Sequence, residues 1–322
     1  MGTPTGVFQV YNQVGVREDL EDIIYNISPM ETYFFTNAGR KTAKTVLHEW
    51  QTDHLDTPSS TNKYTEGDDF SAQVINPTSR LKNYAQIARK DFVITRTANK
   101  VNTAGRKEEL AYQTVMKGKS IKRDIESHLL SKEVASAGTS ASPRSAAAVE
   151  TWIYTVNDVA AAGVTTNTTP APVSGLASTA GTDGTATAFI ESDLKNALLQ
   201  AWSQGGETDV ILLSPTLKNK SDAFTGQATR FRNVAAGDQA AIVGAADIYV
   251  SSYGSHKIQL SRYMRASAVL CLDMSTWAVA WLDPIHMENI AKSGDSEKRM
   301  LVGEYTLVAT TPTANTKLTN VN

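Results

Sequence analysis

From Ala104 to about Ser136 the chain has no proline, and its only glycines there are Gly105 and Gly118. At a 3.6-residue repeat, Leu110, Ala111, Val115, Gly118, Ile121, Ile125 and Leu129 fall on one broad apolar face. Tyr112, Met116, Leu130 and Val134 form a weaker line opposite, within which Lys119 and Arg123 are an i,i+4 pair. Asn102 or Thr103 can cap the start, Glu108 and Glu109 suit the positive end of the dipole, and Gly138 suits a stop. A helix of about thirty residues is roughly 45 Å long at 1.5 Å per residue, more than an ordinary small domain spans. Such a helix is a strut crossing the molecule. The apolar face drifts too broadly for the narrow seam of a coiled coil.

Around this strut the chain mixes helices and strands. Residues 1–16 are polar and extended in character, and Arg17–Ile27 carries Leu20, Ile23, Ile24 and Ile27 at helical spacing. Thr45–Asp53 and Phe70–Ile75 alternate like strands, and Tyr84–Thr95 suits a returning strand. Between Gln51 and Arg80 the large apolar residues are only Leu55, Tyr64, Phe70, Val74 and Ile75, too few for a core. A two-stranded ribbon of this kind is marginal in water by itself, which predicts a projecting loop that packs on a neighbouring subunit.

After a loop at Gly138–Ser145, a helix is expected around Trp152 and Ile153 within 147–162. The Thr/Ala/Gly/Pro-rich stretch 163–187 suits a domain boundary, either linker or surface loop. A helix at 189–204, a buried strand at Val210–Leu213 and a helix opened by Pro215 follow. Strands are expected at 247–251, 257–260, 268–272, 277–282 and 300–309, then a polar tail over 311–322. Without strict βαβ alternation, the fold class is α+β.

Composition excludes more than it selects. The 322 residues are enough for two domain-sized units, and a net charge of −2 provides no global basic field. One cysteine, Cys271, in the run Ala268–Leu272, leaves no disulfide framework or multi-cysteine metal site. No apolar run reaches a membrane span, and no signal peptide is evident, so a soluble protein made in the cytoplasm is expected. The Gly-rich phosphate loops, the nucleophile elbow and the HExxH zinc signature are all missing. His48 and His54 would share a strand face, but six residues at ~3.3 Å put them roughly 20 Å apart, too far for one metal ion. No catalytic, cofactor-binding or metal residue is therefore assigned. The informative charge is local: twelve Lys/Arg between Arg80 and Arg123 stand against Asp91, Glu108 and Glu109. Two uses of that zone stay open, a phosphate backbone or acidic partner, and a solvated face paired with acids such as Glu18, Asp19, Glu21 and Asp22.

Three runs carry a resemblance: Glu49-Trp50-Gln51-Thr52-Asp53 leading to Glu66-Gly67-Asp68; Phe224-Thr225-Gly226-Gln227-Ala228-Thr229-Arg230; and Gly294-Asp295-Ser296-Glu297-Lys298-Arg299 running into Glu304-Tyr305-Thr306-Leu307. With the order of elements, they make the chain similar to tailed-phage major capsid proteins of the HK97-like fold. The resemblance implies an N-terminal arm and short helix (1–43), an extended loop or E-loop (44–96), and a peripheral domain with the spine helix 104–136 (97–188). It further implies an axial domain (189–284) and a return strand with C-terminal tail (285–322). It implies a structural, non-enzymatic subunit that assembles as hexamers and pentamers into an icosahedral head enclosing double-stranded DNA, located in the virion. Separate scaffolding, portal and decoration proteins would be its further partners, with no membrane. Leu55, Tyr64 and Phe70 would then lie between subunits, and Lys119 and Arg123 would face the genome. Lys63 and Asn62 lie near the loop tip, but no catalytic acid marks them, and crosslinking is not expected. The alternatives are an encapsulin-type compartment, a metabolic α+β enzyme and a tail or fibre component. The enzyme would need a catalytic cluster and the fibre would need repeats; neither is visible.

Overall fold

The computed structural model describes residues 31–53, 58–69, 77–101, 108–154, 157–160, 169–224, 248–292 and 294–322, with Leu55 and Ile75. The expected arm and helix at 1–27, the strand at 70–74 and the run 225–230 lie outside the described residues. In chain order the elements are α1 (Tyr33–Asn37), β1 (Gly39–Thr42), β2 (Leu47–Thr52), β3 (Ser79–Tyr84), β4 (Gln86–Thr95), α2 (Arg96–Lys100), α3 (Glu109–Leu129), α4 (Val149–Trp152) and β5 (Asp158–Ala160). They continue as α5 (Glu191–Ser203), β6 (Val210–Leu213), α6 (Pro215–Asp222), β7 (Ile248–Ser251), β8 (Gly254–Leu260), β9 (Ala268–Leu272), β10 (Trp277–Ile290), β11 (Ser296–Ala309) and β12 (Thr316–Thr319).

Three sheets organise them: a four-stranded sheet β1-β10-β11-β4, a six-stranded sheet β5-β12-β9-β6-β8-β7, and the ribbon β2-β3. The runs Val210–Leu213 and Ala268–Leu272 are apolar throughout because both faces of the six-stranded sheet are covered. Val210, Leu212, Ala268, Leu270 and Leu272 share the main core with Trp277, Val279, Tyr305 and Leu307 of the four-stranded sheet and with Ile121, Ile125 and Leu129 of α3. Ile211, Leu213, Val269, Cys271 and Leu318 point the other way, onto Leu194, Ala197 and Leu198 of α5 and Leu217 of α6. α6 starts as its sequence dictates: Pro215 needs no donor, and the Ser214 hydroxyl accepts from the Leu217 N–H.

α3 is shorter than its sequence suggests. Glu108 is extended, so the helix begins at Glu109, and Leu129 is its last residue. At about 1.5 Å per residue, twenty-one residues span roughly 31 Å. The stop comes from side chains rather than Gly138: the Ser131 hydroxyl donates to the His128 carbonyl at 2.7 Å and then accepts from the Glu133 N–H at 3.1 Å. Leu130 is buried in the turn, and residues 131–136 run extended to pair Ser136 with Ser145. The C-terminal half of the apolar face is buried, whereas Val115 is 58% exposed. Beside that face, Glu126 is buried and accepts from the Phe34 and Phe35 N–H groups (3.0 and 2.7 Å), tying α1 to the strut. Burial raises its pKa, and those two N–H groups oppose the rise.

Four further expectations are corrected. The strand that pairs with β2 is Ser79–Tyr84, in register Leu47↔Tyr84 to Thr52↔Ser79, while β4 joins the four-stranded sheet. The helix expected within 147–162 is the single turn α4, followed by β5, so Trp152 and Ile153 are core residues without a long helix. β10 runs through Pro284, because a bulge between Asp283 and His286 leaves the position without a ladder donor to supply. The tail expected over 311–322 contains β12, wholly buried between β5 and β9.

Candidate assembly surfaces

The ribbon β2-β3 is clamped at its base and free at its tip. Asn83 is fully buried: its Oδ1 accepts from Ala147 N (2.9 Å) and its Nδ2 donates to the Leu307 carbonyl (2.8 Å). Trp50 packs against Trp152 with ring centroids 5.4 Å apart and planes tilted by 49°, and donates its indole N–H to the Ala309 carbonyl at 2.9 Å. Gly175, at φ +78, passes so close that an added Cβ would sit 1.9 Å from the Arg80 carbonyl oxygen, and its own carbonyl accepts from Lys82 N. Beyond Thr52 and Ser79 every described residue of the ribbon is exposed. Leu55 is 99% exposed, Tyr64 69% and Ile75 92%, so the predicted loop residues Leu55 and Tyr64 do stand bare in the single subunit. Phe70 lies outside the described residues.

The basic zone is partly neutralised within the chain. Arg80 pairs with Glu49, Arg89 with Asp91, Lys90 with Asp124 and Arg96 with Asp295. Arg123 is half-buried, and its Nε donates to the Tyr263 hydroxyl at 2.9 Å. Lys119 is half-buried and Lys122 exposed, and neither makes an ion pair among the described residues. The sequence places Lys119 and Arg123 together on α3, but their surroundings differ.

A second cluster lies inside the subunit, where sequence reasoning had a polar tail. Lys317 of β12 and Asp158 of β5 are register partners on adjacent strands, with Nζ 3.2 Å from Oδ2. Lys317 also donates to the Glu150 carbonyl (2.7 Å) and the Thr169 hydroxyl (2.5 Å). Asp158 accepts from the Thr169 N–H and hydroxyl and from the Thr319 hydroxyl. Next to it, Arg265 bonds Glu150 (3.0 Å) and Asp183 (2.8 Å), and Lys132 closes on Asp183 (2.9 Å). Burial lowers the Lys317 pKa, and the Asp158 and Glu150 charges resist that. No local sequence signal announces this cluster, because its members are spread from residue 132 to 319.

The enzyme alternative finds little support here. Burial pushes the Cys271 thiol up to about 12, which keeps it protonated and inert. The Ser251 hydroxyl lies 2.7 Å from His256 Nε2, and Nδ1 faces the Thr208 carbonyl at 2.7 Å, as in a nucleophile–base pair. Yet that hydroxyl also accepts from the Tyr253 N–H within the β7-β8 turn, and His256 is buried, so the pair locks a hairpin. Among the described residues, the lining of a cleft of about 640 Å³ at the ribbon base contains no His or Cys. Among the described residues no three His, Cys, Asp or Glu side chains converge on a metal-sized point.

His128 provides a pH test of the core. Its Nε2 lies 3.1 Å from the Ala146 carbonyl and its Nδ1 3.0 Å from the Tyr305 hydroxyl, so the neutral ring satisfies both. Burial pushes its pKa down to about 4. Between that value and the ordinary ~6.5, the unfolded chain binds the extra proton. The neutral ring's contribution is therefore present above pH ~6.5 and lost as pH falls towards 4, about 3 kcal/mol in all. Urea midpoints measured across that range should fall for the native chain and flatten for His128→Gln.

The long strut, the two packed sheets and the bare ribbon are the anatomy of an HK97-like capsid subunit, and comparison bears this out. The model of the SU10 major capsid protein family matches residues 3–322. The major capsid protein of Escherichia phage Phieco32 is 28% identical over 345 residues, covering 98% of this chain and 97% of that one. The capsid of cyanophage P-SCSP1u superposes with a TM-score of 0.61 at 13% identity over 99% of each chain. The mature capsid of bacteriophage PhiM1 gives 0.62 at 10% identity over 99% and 98%. At such identities the solved structures establish the fold, while the family match reaches further. The fold class is a phage capsid subunit, α+β and HK97-like. The chain belongs to the SU10 major capsid protein family, and its role is structural.

Proposed function

We propose that copies of this chain assemble as hexamers and pentamers into the closed icosahedral head of a tailed phage, enclose double-stranded DNA, and carry out no catalysis. The family match over nearly the whole chain carries the proposal. A closed shell requires each subunit to bury surface on several neighbours, and this subunit leaves apolar side chains uncovered where such contacts are needed. In this account the segment between β2 and β3, within the 44–96 loop, reaches a neighbour, and 189–284 meets its copies around the capsomer axes. The sheet of that second unit also takes in β5 and β12. Scaffolding, portal and decoration functions belong to separate proteins, and the chain is made in the host cytoplasm before entering the virion. The basic zone has two claimants of opposite class, the genome through Lys119 and Arg123, and an acidic segment of a second copy.

Sedimentation velocity on the purified chain tests the proposal. Species at the mass of five or six subunits, or of closed shells, are expected over a range of concentration and salt. Monomer or dimer alone, even with the neighbouring gene products added, would remove the shell function.

A further inference from the structure

β7 closes one end of the six-stranded sheet, and its outer edge is unpaired among the described residues. Its four residues, Ile-Tyr-Val-Ser, carry no charge, whereas the edge strand β1 of the other sheet carries Arg40 and Lys41. Tyr249 is buried on the α5 side, where its hydroxyl donates to Glu191 at 3.3 Å. Ile248 and Val250 point to the opposite face, 46% and 38% exposed, beside their register partners Lys257 and Ser255. The first described residues of the chain arrive at this same corner. The Lys257 ammonium lies 5.5 Å from the centre of the Tyr33 ring, and Arg262 pairs with Glu31 at 3.9 Å. Arg123 of α3 reaches the corner through the hydroxyl of Tyr263, the residue after Arg262, so the corner is basic as well as apolar.

We propose that the segment Arg17–Ile27 packs on this face of its own subunit, laying Leu20, Ile23, Ile24 and Ile27 over Ile248 and Val250. These four recur at i, i+3, i+4 and i+7, one stripe of a helix. Asp19 and Glu21 flank the stripe, and Glu18 and Asp22 lie opposite it. The flanking acids complement Arg262 and Lys257, the second of which makes no ion pair among the described residues. The connection is short: only Ser28, Pro29 and Met30 separate Ile27 from Glu31, at most about 14 Å of extended chain. A helix over this segment is roughly 16 Å long and β7 roughly 13 Å, so one can cover the other. Docking takes two apolar surfaces out of water and screens the uncharged strand edge. The contact is a property of the single subunit and stands apart from shell closure.

Disulfide trapping in dilute, unassembled subunits tests the docking. Ile24→Cys is combined in turn with Ile248→Cys and with Val250→Cys, while the natural Cys271 is buried and stays out of the reaction. At least one pair is expected to join within a single chain, read as a species of subunit mass lighter by two hydrogens until it is reduced. Bonds formed only between copies would assign the face to a contact between subunits, and that result, or no bond in either pair, overturns the proposal. Hydrogen exchange read by mass spectrometry gives a second test. The amides of 18–27 should exchange about tenfold or more slowly in the native chain than in Ile23→Glu with Ile27→Glu. Ile248→Asp with Val250→Asp should release them equally, while α5 and β9 keep their protection and report an intact fold; the disulfide pairs decide if that variant does not fold. Equal exchange in the native and Ile23/Ile27 chains, or protection of 18–27 that survives the change on β7, contradicts the docking. The second of these would mean that the segment packs elsewhere and that residues 225–247 or another copy cover Ile248 and Val250.

Discussion

Asp158→Ala is expected to destabilise the subunit by roughly 3–5 kcal/mol, the range for breaking a buried ion pair by removing one partner. Both side chains are almost wholly out of solvent, so the Lys317 ammonium would keep only the Glu150 carbonyl and Thr169 hydroxyl around it. Three donors, the Thr169 N–H and hydroxyl and the Thr319 hydroxyl, would also lose their acceptor. The damage falls on the β5-β12 pairing and therefore on one side of the six-stranded sheet. Urea unfolding of the unassembled subunit, followed by fluorescence of the buried Trp152 and Trp277, measures it. The double variant Asp158→Ala/Lys317→Met should recover a substantial part, because it removes the stranded charge instead of leaving it. A loss below about 1 kcal/mol for the single variant would mean that the cluster contributes no more than a surface pair does.

Replacing residues 54–77 with a short Gly/Ser turn is expected to abolish assembly while leaving the fold intact. The ribbon is held by its base, through Asn83, Trp50 and Gly175, and all three contacts lie outside the deleted segment. Leu55, Tyr64 and Ile75 contribute nothing to the subunit core, so the urea midpoint of the shortened chain should stay within the error of the native one. Sedimentation should then show subunits where the native chain forms large species. A shortened chain that still closes shells would show that the tip is dispensable. One that no longer unfolds cooperatively would show that the tip belongs to the core.

The elements legible in the sequence are those whose signal is local. Val210–Leu213 and Ala268–Leu272 are unbroken apolar runs, and both are strands at those bounds. Pro215 after Ser214 announces α6, and Gly205-Gly206 announces the end of α5. The bare tip was legible too, from the shortage of apolar residues between Gln51 and Arg80. The misread elements depend on partners far along the chain. Thr316-Lys317-Leu318-Thr319 looks like a polar tail because only Leu318 is apolar, and it is buried because Asp158 neutralises Lys317 across 159 positions of sequence. The overrun of α3 has a different cause. The residues after Leu129 are good helix formers, but Ser131 supplies a closing hydrogen bond that propensity does not register, and Leu130 gains more by burial in the turn. The strand expected at 277–282 stops short of Pro284, and the bulge that carries β10 through it is visible only in the pairing with β11.

The central claim is that this chain closes on copies of itself with the ribbon as the reaching element, and an electron cryo-microscopy reconstruction of the assembled protein tests it most directly. The account predicts closed shells built from rings of five and six subunits, with each ribbon tip lying on an adjacent copy. Shells whose tips fold back on their own subunit, or particles without five- and six-membered rings, would contradict it.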